Sequence, residues 1–224
     1  MNPDIFQYLA RGIVLLTAIP VHESAHAYVS YKLGDPTAKN LGRLSLNPLR
    51  HFDVLGCVSM LIIGIGWAKP VPIDPRYYKN PKAGMALSAL AGPVSNFLMA
   101  FVAMIFYKIA LFSYAASGGS QIVRMFAVLL QAMVLINISL GIFNLIPVPP
   151  FDGSRIFGFF LPEHVYWGIM KYERYIFFAV LALLFFGVLN TPLLAANNAL
   201  FTAFDFLTRP VDILMSAVTG FSRG

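Results

Sequence analysis

Four apolar stretches, residues 5–33, 83–114, 122–146 and 172–194, each reach the roughly 20 residues a helix needs to cross the hydrocarbon core of a bilayer. In lipid, backbone N–H and C=O groups must find partners inside the segment, so stretches of this length fold as helices. The expectation is an all-α polytopic membrane protein with about four transmembrane helices. Composition agrees, since 58% of the residues are hydrophobic and 12% are charged, where a soluble domain carries about 25% charged residues.

The punctuation between these stretches is clear. Gly34-Asp35-Pro36 follows the first, Ser117-Gly118-Gly119-Ser120 separates the second from the third, and Pro147 with Pro149-Pro150 follows the third. A further apolar run at 55–65 is too short to cross and is flanked by Gly56, Gly64 and Gly66, which predicts a re-entrant or hairpin segment. The tail from 197 to 220 mixes Phe, Leu and Ile with Asp205, Arg209 and Asp212, the pattern of an amphipathic helix lying on a membrane surface. The first stretch follows Asp4, contains Arg11 and runs into His22, so it reads as a retained helix and not a cleaved signal. One integral-membrane domain, 1–224, is expected, with its core at 5–160.

Charge placement sets the partners and the orientation. Sixteen Lys and Arg face ten Asp and Glu, but the basic residues form no stripe interleaved with exposed aromatics, so the bilayer and not nucleic acid is the expected partner. Eight of the sixteen lie from Lys32 to Lys82, whereas the 113–121 connection has none. Excess Lys and Arg marks the cytoplasmic side, so the basic connection faces inward and both termini lie opposite. The single cysteine, Cys57, excludes an internal disulfide and a thiolate zinc cluster, leaving His and carboxylate as metal ligands.

Those ligands are in place. His22-Glu23-Ser24-Ala25-His26 is an H-E-x-x-H pattern at the inward end of the first span. Two histidines four apart on a helix project from nearly one face and can share one Zn2+, while Glu23 is rotated off that face, where it can act on water as a general base. A pattern this short also arises by chance with its histidines merely hydrogen-bonded, but ionisable groups beside a spanning segment are costly and by default mark a functional site. Catalytic zinc takes three protein ligands, and Asp152 is the candidate for the third. It follows the third span within Asn144-Leu-Ile-Pro-Val-Pro-Pro-Phe-Asp152-Gly153, at the same membrane face as His26. The competing reading is an ordinary Asp-Gly turn. His51 beside Arg50 and Asp53, and His164 beside Glu163, read as loop and interfacial histidines and not as ligands.

Together with Gly42-Arg-Leu-Ser-Leu-Asn-Pro48, Gly66-Trp-Ala-Lys-Pro-Val-Pro72 and Ala91-Gly-Pro-Val-Ser-Asn96, these motifs resemble the site-2-protease-like intramembrane zinc metalloproteases, in a small prokaryotic form without appended PDZ or CBS domains. The resemblance spans most of the chain. It implies a three-helix catalytic core, zinc on His22, His26 and Asp152, Glu23 as the base, and Asn144 in the active site, where its amide would hydrogen-bond a substrate carbonyl or oxyanion. Asn144 as a helix-packing amide remains the alternative. Asn96, beside small Ala91, Gly92 and Ser95, reads first as helix packing. Segment 40–73 resembles the membrane-associated strands and loop that the family carries beside its site, and an exposed strand edge there would hold an unwound substrate. The implied substrate is a transmembrane protein, and the implied location is a prokaryotic plasma membrane with the site opening to the cytoplasm. Rival readings are a divalent-metal transporter and an inactive membrane adaptor.

Overall fold

The computed structural model describes residues 3–53 and 68–220, and among them there are helices and no strands. The long helices are α1 (Pro3–Lys32), α3 (Pro81–Ala116) and α4 (Gln121–Asn144), with the short α2 (Thr37–Asn40) after the first. Five more follow: α5 (Asp152–Gly158), α6 (Glu163–Met170), α7 (Glu173–Phe185), α8 (Asn190–Leu207) and α9 (Arg209–Thr219). The expected re-entrant segment, 55–65, lies outside the described residues. Its flanks meet at an isolated antiparallel bridge between Phe52 and Ala68, backed by the Lys69 N–H donating to the His51 carbonyl at 2.8 Å. The strands expected within 40–73 are otherwise not found among the described residues.

Among the described residues two helices, α3 and α4, are long and apolar enough to cross a membrane, and they match the second and third expected spans. Helix α1 is continuous at the expected place but carries Arg11, His22, Glu23 and His26 along its length. The fourth expected span, 172–194, is not one straight helix. It stops at Phe185, turns through 82° and resumes at Asn190, so that α7 and α8 count as a third span only if the bent pair is taken as one. Gly187 adopts a left-handed φ of +72° at the break, a conformation that costs a glycine little. The helical tail accordingly begins at Asn190, upstream of residue 197, and comes as two pieces, α8 and α9.

Two rows of side chains explain how the core helices pack. Along α1 the buried positions Ala10, Val14, Ala18, His22, His26 and Ser30 recur every fourth residue. Along α3 the same interval gives Gly84, Ser88, Gly92, Asn96, Ala100, Met104, Lys108 and Phe112. Residues spaced by four form a ridge on a helix, and ridges of mostly small side chains let two helices approach closely. Helix α4 closes the triangle with Val134, Asn137, Ile138 and Gly141. An apolar cluster of Ala100, Ala103, Met104, Val134, Ile138 and Phe204 then seats α8 on α3 and α4. Six buried polar side chains, His22, His26, Ser30, Ser88, Asn96 and Lys108, sit on these two rows, so the packing ridges also carry the chemistry.

Candidate metal centre

The α1 row delivers both imidazoles to the α3 row. His22 and His26 are each under a tenth exposed, and their Nε2 atoms lie 3.0 Å apart. Gly92 makes this approach possible, because a Cβ at that position would overlap both rings. Asp152 comes from the first residue of α5, beyond the proline-rich turn that ends α4. Gly153 beside it packs so tightly on the Leu145 and Ile146 carbonyls that any side chain there would collide with backbone. Asp152 is thereby aimed at the imidazoles, with its Oδ2 at 3.2 Å from each Nε2 and its side chain 13% exposed.

The outer ring atoms determine what the inner ones can be. His26 Nδ1 lies 2.7 Å from the Ser88 carbonyl oxygen, which can only accept, so this nitrogen carries the proton. His22 Nδ1 lies 2.5 Å from Asn96 Oδ1, which likewise accepts. In neutral imidazoles both Nε2 atoms are therefore left as bare lone pairs pointing at each other and at Asp152 Oδ2. That carboxylate oxygen is buried and receives no hydrogen bond. In that state three acceptors converge with no hydrogen-bond donor among them, and the potential ligand atoms of this group all lie within 4.8 Å of one another. A cation resolves that conflict. Two imidazole nitrogens and one carboxylate oxygen are a donor set that suits zinc, with outer hydrogen bonds of the kind that orient metal-binding histidines.

Glu23 stands off this set, as its rotation on the helix dictates. Its Oε2 accepts a 2.9 Å hydrogen bond from the Val71 N–H. Val71 belongs to a strap, residues 68–74, also held by Arg43, whose Nη2 donates to the Lys69 and Pro70 carbonyls at 2.5 and 3.3 Å. The Val71 side chain packs with Ala27 and Ala38. Ser24, between the two histidines in sequence, donates to the Ser45 carbonyl at 2.6 Å and ties the neighbouring loop to α1.

The remaining predicted residues divide. Asn144 donates its amide to the Leu140 carbonyl of its own helix at 2.9 Å and makes no hydrogen bond to the His/Asp group. His51 is fully buried and engages the Ser45 carbonyl at 2.6 Å through Nε2, away from the metal-type cluster. His164 is exposed on α6. Asn96, expected as packing, is instead in contact with His22, and beyond it lies Asn137, which sequence reasoning did not single out. The signal was present as a carboxamide inside an apolar span. Asp35, within the Gly34-Asp35-Pro36 punctuation, is fully buried and accepts from the Ser30 hydroxyl and from the Thr37 and Asp74 N–H groups at 2.8 to 2.9 Å. It pins the start of the basic connection to the strap.

A family model described as Peptidase family M50 matches residues 108–188, a stretch that includes Asp152. YwhC of Bacillus subtilis (strain 168), provisionally named a zinc metalloprotease, is 39% identical over 175 residues, covering 76% of this chain and 78% of that protein. The zinc metalloprotease MJ0392 of Methanocaldococcus jannaschii is 31% identical over 159 residues, covering 70% of this chain and 35% of that longer protein. No solved structure matches the chain.

Proposed function

Because this chain belongs to peptidase family M50, the site-2 protease family, we propose that it is an intramembrane-cleaving zinc endopeptidase, acting on peptide bonds in or near transmembrane segments of other proteins. The observation that carries this reading is the convergence of His22 Nε2, His26 Nε2 and Asp152 Oδ2 within 4.8 Å of one another, with a carboxylate, Glu23, one residue along the same helix. These three side chains would hold one zinc ion. When bound, zinc supplies the Lewis acidity that makes water a competent nucleophile near neutral pH.

The chain's own residues supply the rest. Glu23 takes a proton from the attacking water and returns it to the departing amine nitrogen of the cleaved bond. The Val71 N–H holds Oε2, which leaves Oε1 as the oxygen on which the proton travels. Asn144, the last residue of α4, would reach a substrate carbonyl only by releasing its bond to Leu140. The strap and the basic connection lie beside the site. By the charge rule of the sequence they face the cytoplasm, which makes that side the aqueous entrance.

Ion conduction fits less well. A transport path needs successive sites, and among the described residues His22, His26 and Asp152 form the one group of His, Asp or Glu placed to hold a metal. The test is Glu23→Gln in purified protein presented with single-span substrates, with zinc content measured in the same sample. Cleavage should fall by about 10²- to 10⁴-fold while zinc is retained; a variant that cuts at the normal rate removes Glu23 from the reaction.

A further inference from the structure

Beyond the metal-type group, a chain of carboxamides runs from His22 into the third core helix. Asn96 Oδ1 meets His22 Nδ1 at 2.5 Å, Asn96 Nδ2 donates to Asn137 Oδ1 at 2.9 Å, and Asn137 Nδ2 donates to the Met133 carbonyl at 2.8 Å. Both asparagines are fully buried. The direction of every bond follows from the last one. A backbone carbonyl accepts only, so Asn137 must turn its NH₂ to Met133 and its oxygen to Asn96. Asn96 must then offer NH₂ to Asn137 and its own oxygen to His22. His22 is left no choice but to carry its proton on Nδ1.

We propose that Asn96 and Asn137 are positioning residues that lock His22 in the Nδ1–H tautomer and so set the affinity of the site for its metal ion. This deepens the zinc-peptidase reading and rests on it. His26 needs no such relay, because the Ser88 carbonyl fixes its tautomer in one step. His22 faces α3 two turns further along, where a side chain is the partner. A lone asparagine at that position could flip its amide and present NH₂ to the ring, which would put the proton on Nε2 and remove a ligand. Asn137 removes that freedom. Two carboxamides between apolar helices are costly to bury unless each polar atom is engaged, and here the engagement is directional from end to end. Simple interhelical adhesion by the same pair would not depend on which ring nitrogen of His22 holds a proton.

The test uses the full chain in detergent micelles with ¹⁵N-labelled histidine, stripped of metal. Long-range ¹⁵N–¹H spectra report the protonated ring nitrogen, and His22→Gln identifies the His22 signal. The wild type should show His22 protonated at Nδ1. Asn96→Leu and Asn137→Leu should each shift it to a mixture of tautomers, whereas Asn96→Asp, which keeps an acceptor oxygen, should retain the Nδ1–H form. Zinc affinity by chelator competition should fall about 10- to 100-fold in Asn96→Leu and less in Asn137→Leu. An unaltered His22 signal in either leucine variant, or unaltered zinc affinity in Asn96→Leu, overturns the relay. If Asn96→Leu does not fold, Asn137→Leu decides the matter by the same two readings. A wild type that binds no zinc, but whose His22 tautomer still answers to Asn137, sinks the metal reading and leaves the tautomer lock standing.

Discussion

One row of α3 touches two buried polar clusters, and they are built on opposite principles. At Ser88 to Asn96 it orients His22 and His26 towards Asp152, a set of three acceptors. Twelve residues on, about 18 Å at helical rise, Lys108 is fully buried and gives its ammonium to the Asp205 carbonyl at 2.8 Å, to Asp205 Oδ1 at 3.1 Å and to Asp212 Oδ2. An ammonium has three protons, and three acceptors meet them. The lysine cluster is closed, with every ammonium proton engaged, and clamps α8 and α9 to α3. The histidine cluster is open, because every inward-facing atom wants a positive charge that the chain does not provide. An open cluster held this rigidly marks a place for chemistry, and a closed one marks a fastening.

The sharpest way to break this contrast is to remove one member from each cluster. Asp152→Ala should reduce cleavage to the uncatalysed level and abolish zinc binding, yet leave the metal-free protein as stable as before, since it deletes one of three mutually repelling acceptors. A large loss of stability in the metal-free variant would show that Asp152 is a fastening too. Lys108→Met should do the reverse. Zinc content should be unchanged, while thermal unfolding in detergent should report a loss of about 3 kcal/mol, the lower end for breaking a buried pair because both carboxylates are partly exposed. Adding Asp205→Asn and Asp212→Asn should recover much of that loss.

Smaller perturbations sharpen the same contrast. Gly92→Ala thrusts a methyl group at both imidazoles and should lower turnover about 10²-fold by displacing them, with the lysine cluster untouched. The weakest effect concerns Asp35, a buried carboxylate that belongs with the closed type. Burial acts to raise its pKa, but hydrogen bonds from Thr37, Asp74 and Ser30 outweigh burial and hold it below the ordinary carboxylate value. A depressed folded pKa means that its stabilisation is present in full above the unfolded value, about 3.9, and is lost as pH falls through the lower folded one. Amide exchange in residues 34–43 and 68–78 should therefore quicken on acidification below about pH 4, and in Asp35→Asn that step should vanish.

The parts of the molecule legible in sequence are those in which spacing alone fixes geometry. His22 and His26 share a face because they are four apart, and Asp152 was found because prolines end α4 just before it. Hydropathy located α3 and α4 but read through the Gly187 break, since averaging over a window cannot register one left-handed residue. The Ser88 carbonyl has no sequence signature at all, as every residue carries one. Asn137 and Lys108 are visible as polar intrusions in apolar helices, but their partners, Asn96 across the bundle and Asp205 and Asp212, 97 and 104 residues on, become neighbours only when the chain has folded. The strands expected in 40–73 were inferred from likeness, and the described part of that segment instead relies on side-chain anchors.

Those anchors fall close together. Within six residues the strap is pegged at Lys69 and Pro70 by Arg43, at Val71 by Glu23 and at Asp74 by Asp35. One inserted residue lengthens an extended chain by about 3.3 Å, more than the slack in any hydrogen bond, so the pegs could not all be kept. This short connection thus acts as a ruler against which the Glu23 carboxylate is set, and its length is as constrained as the helical spacing of the histidines.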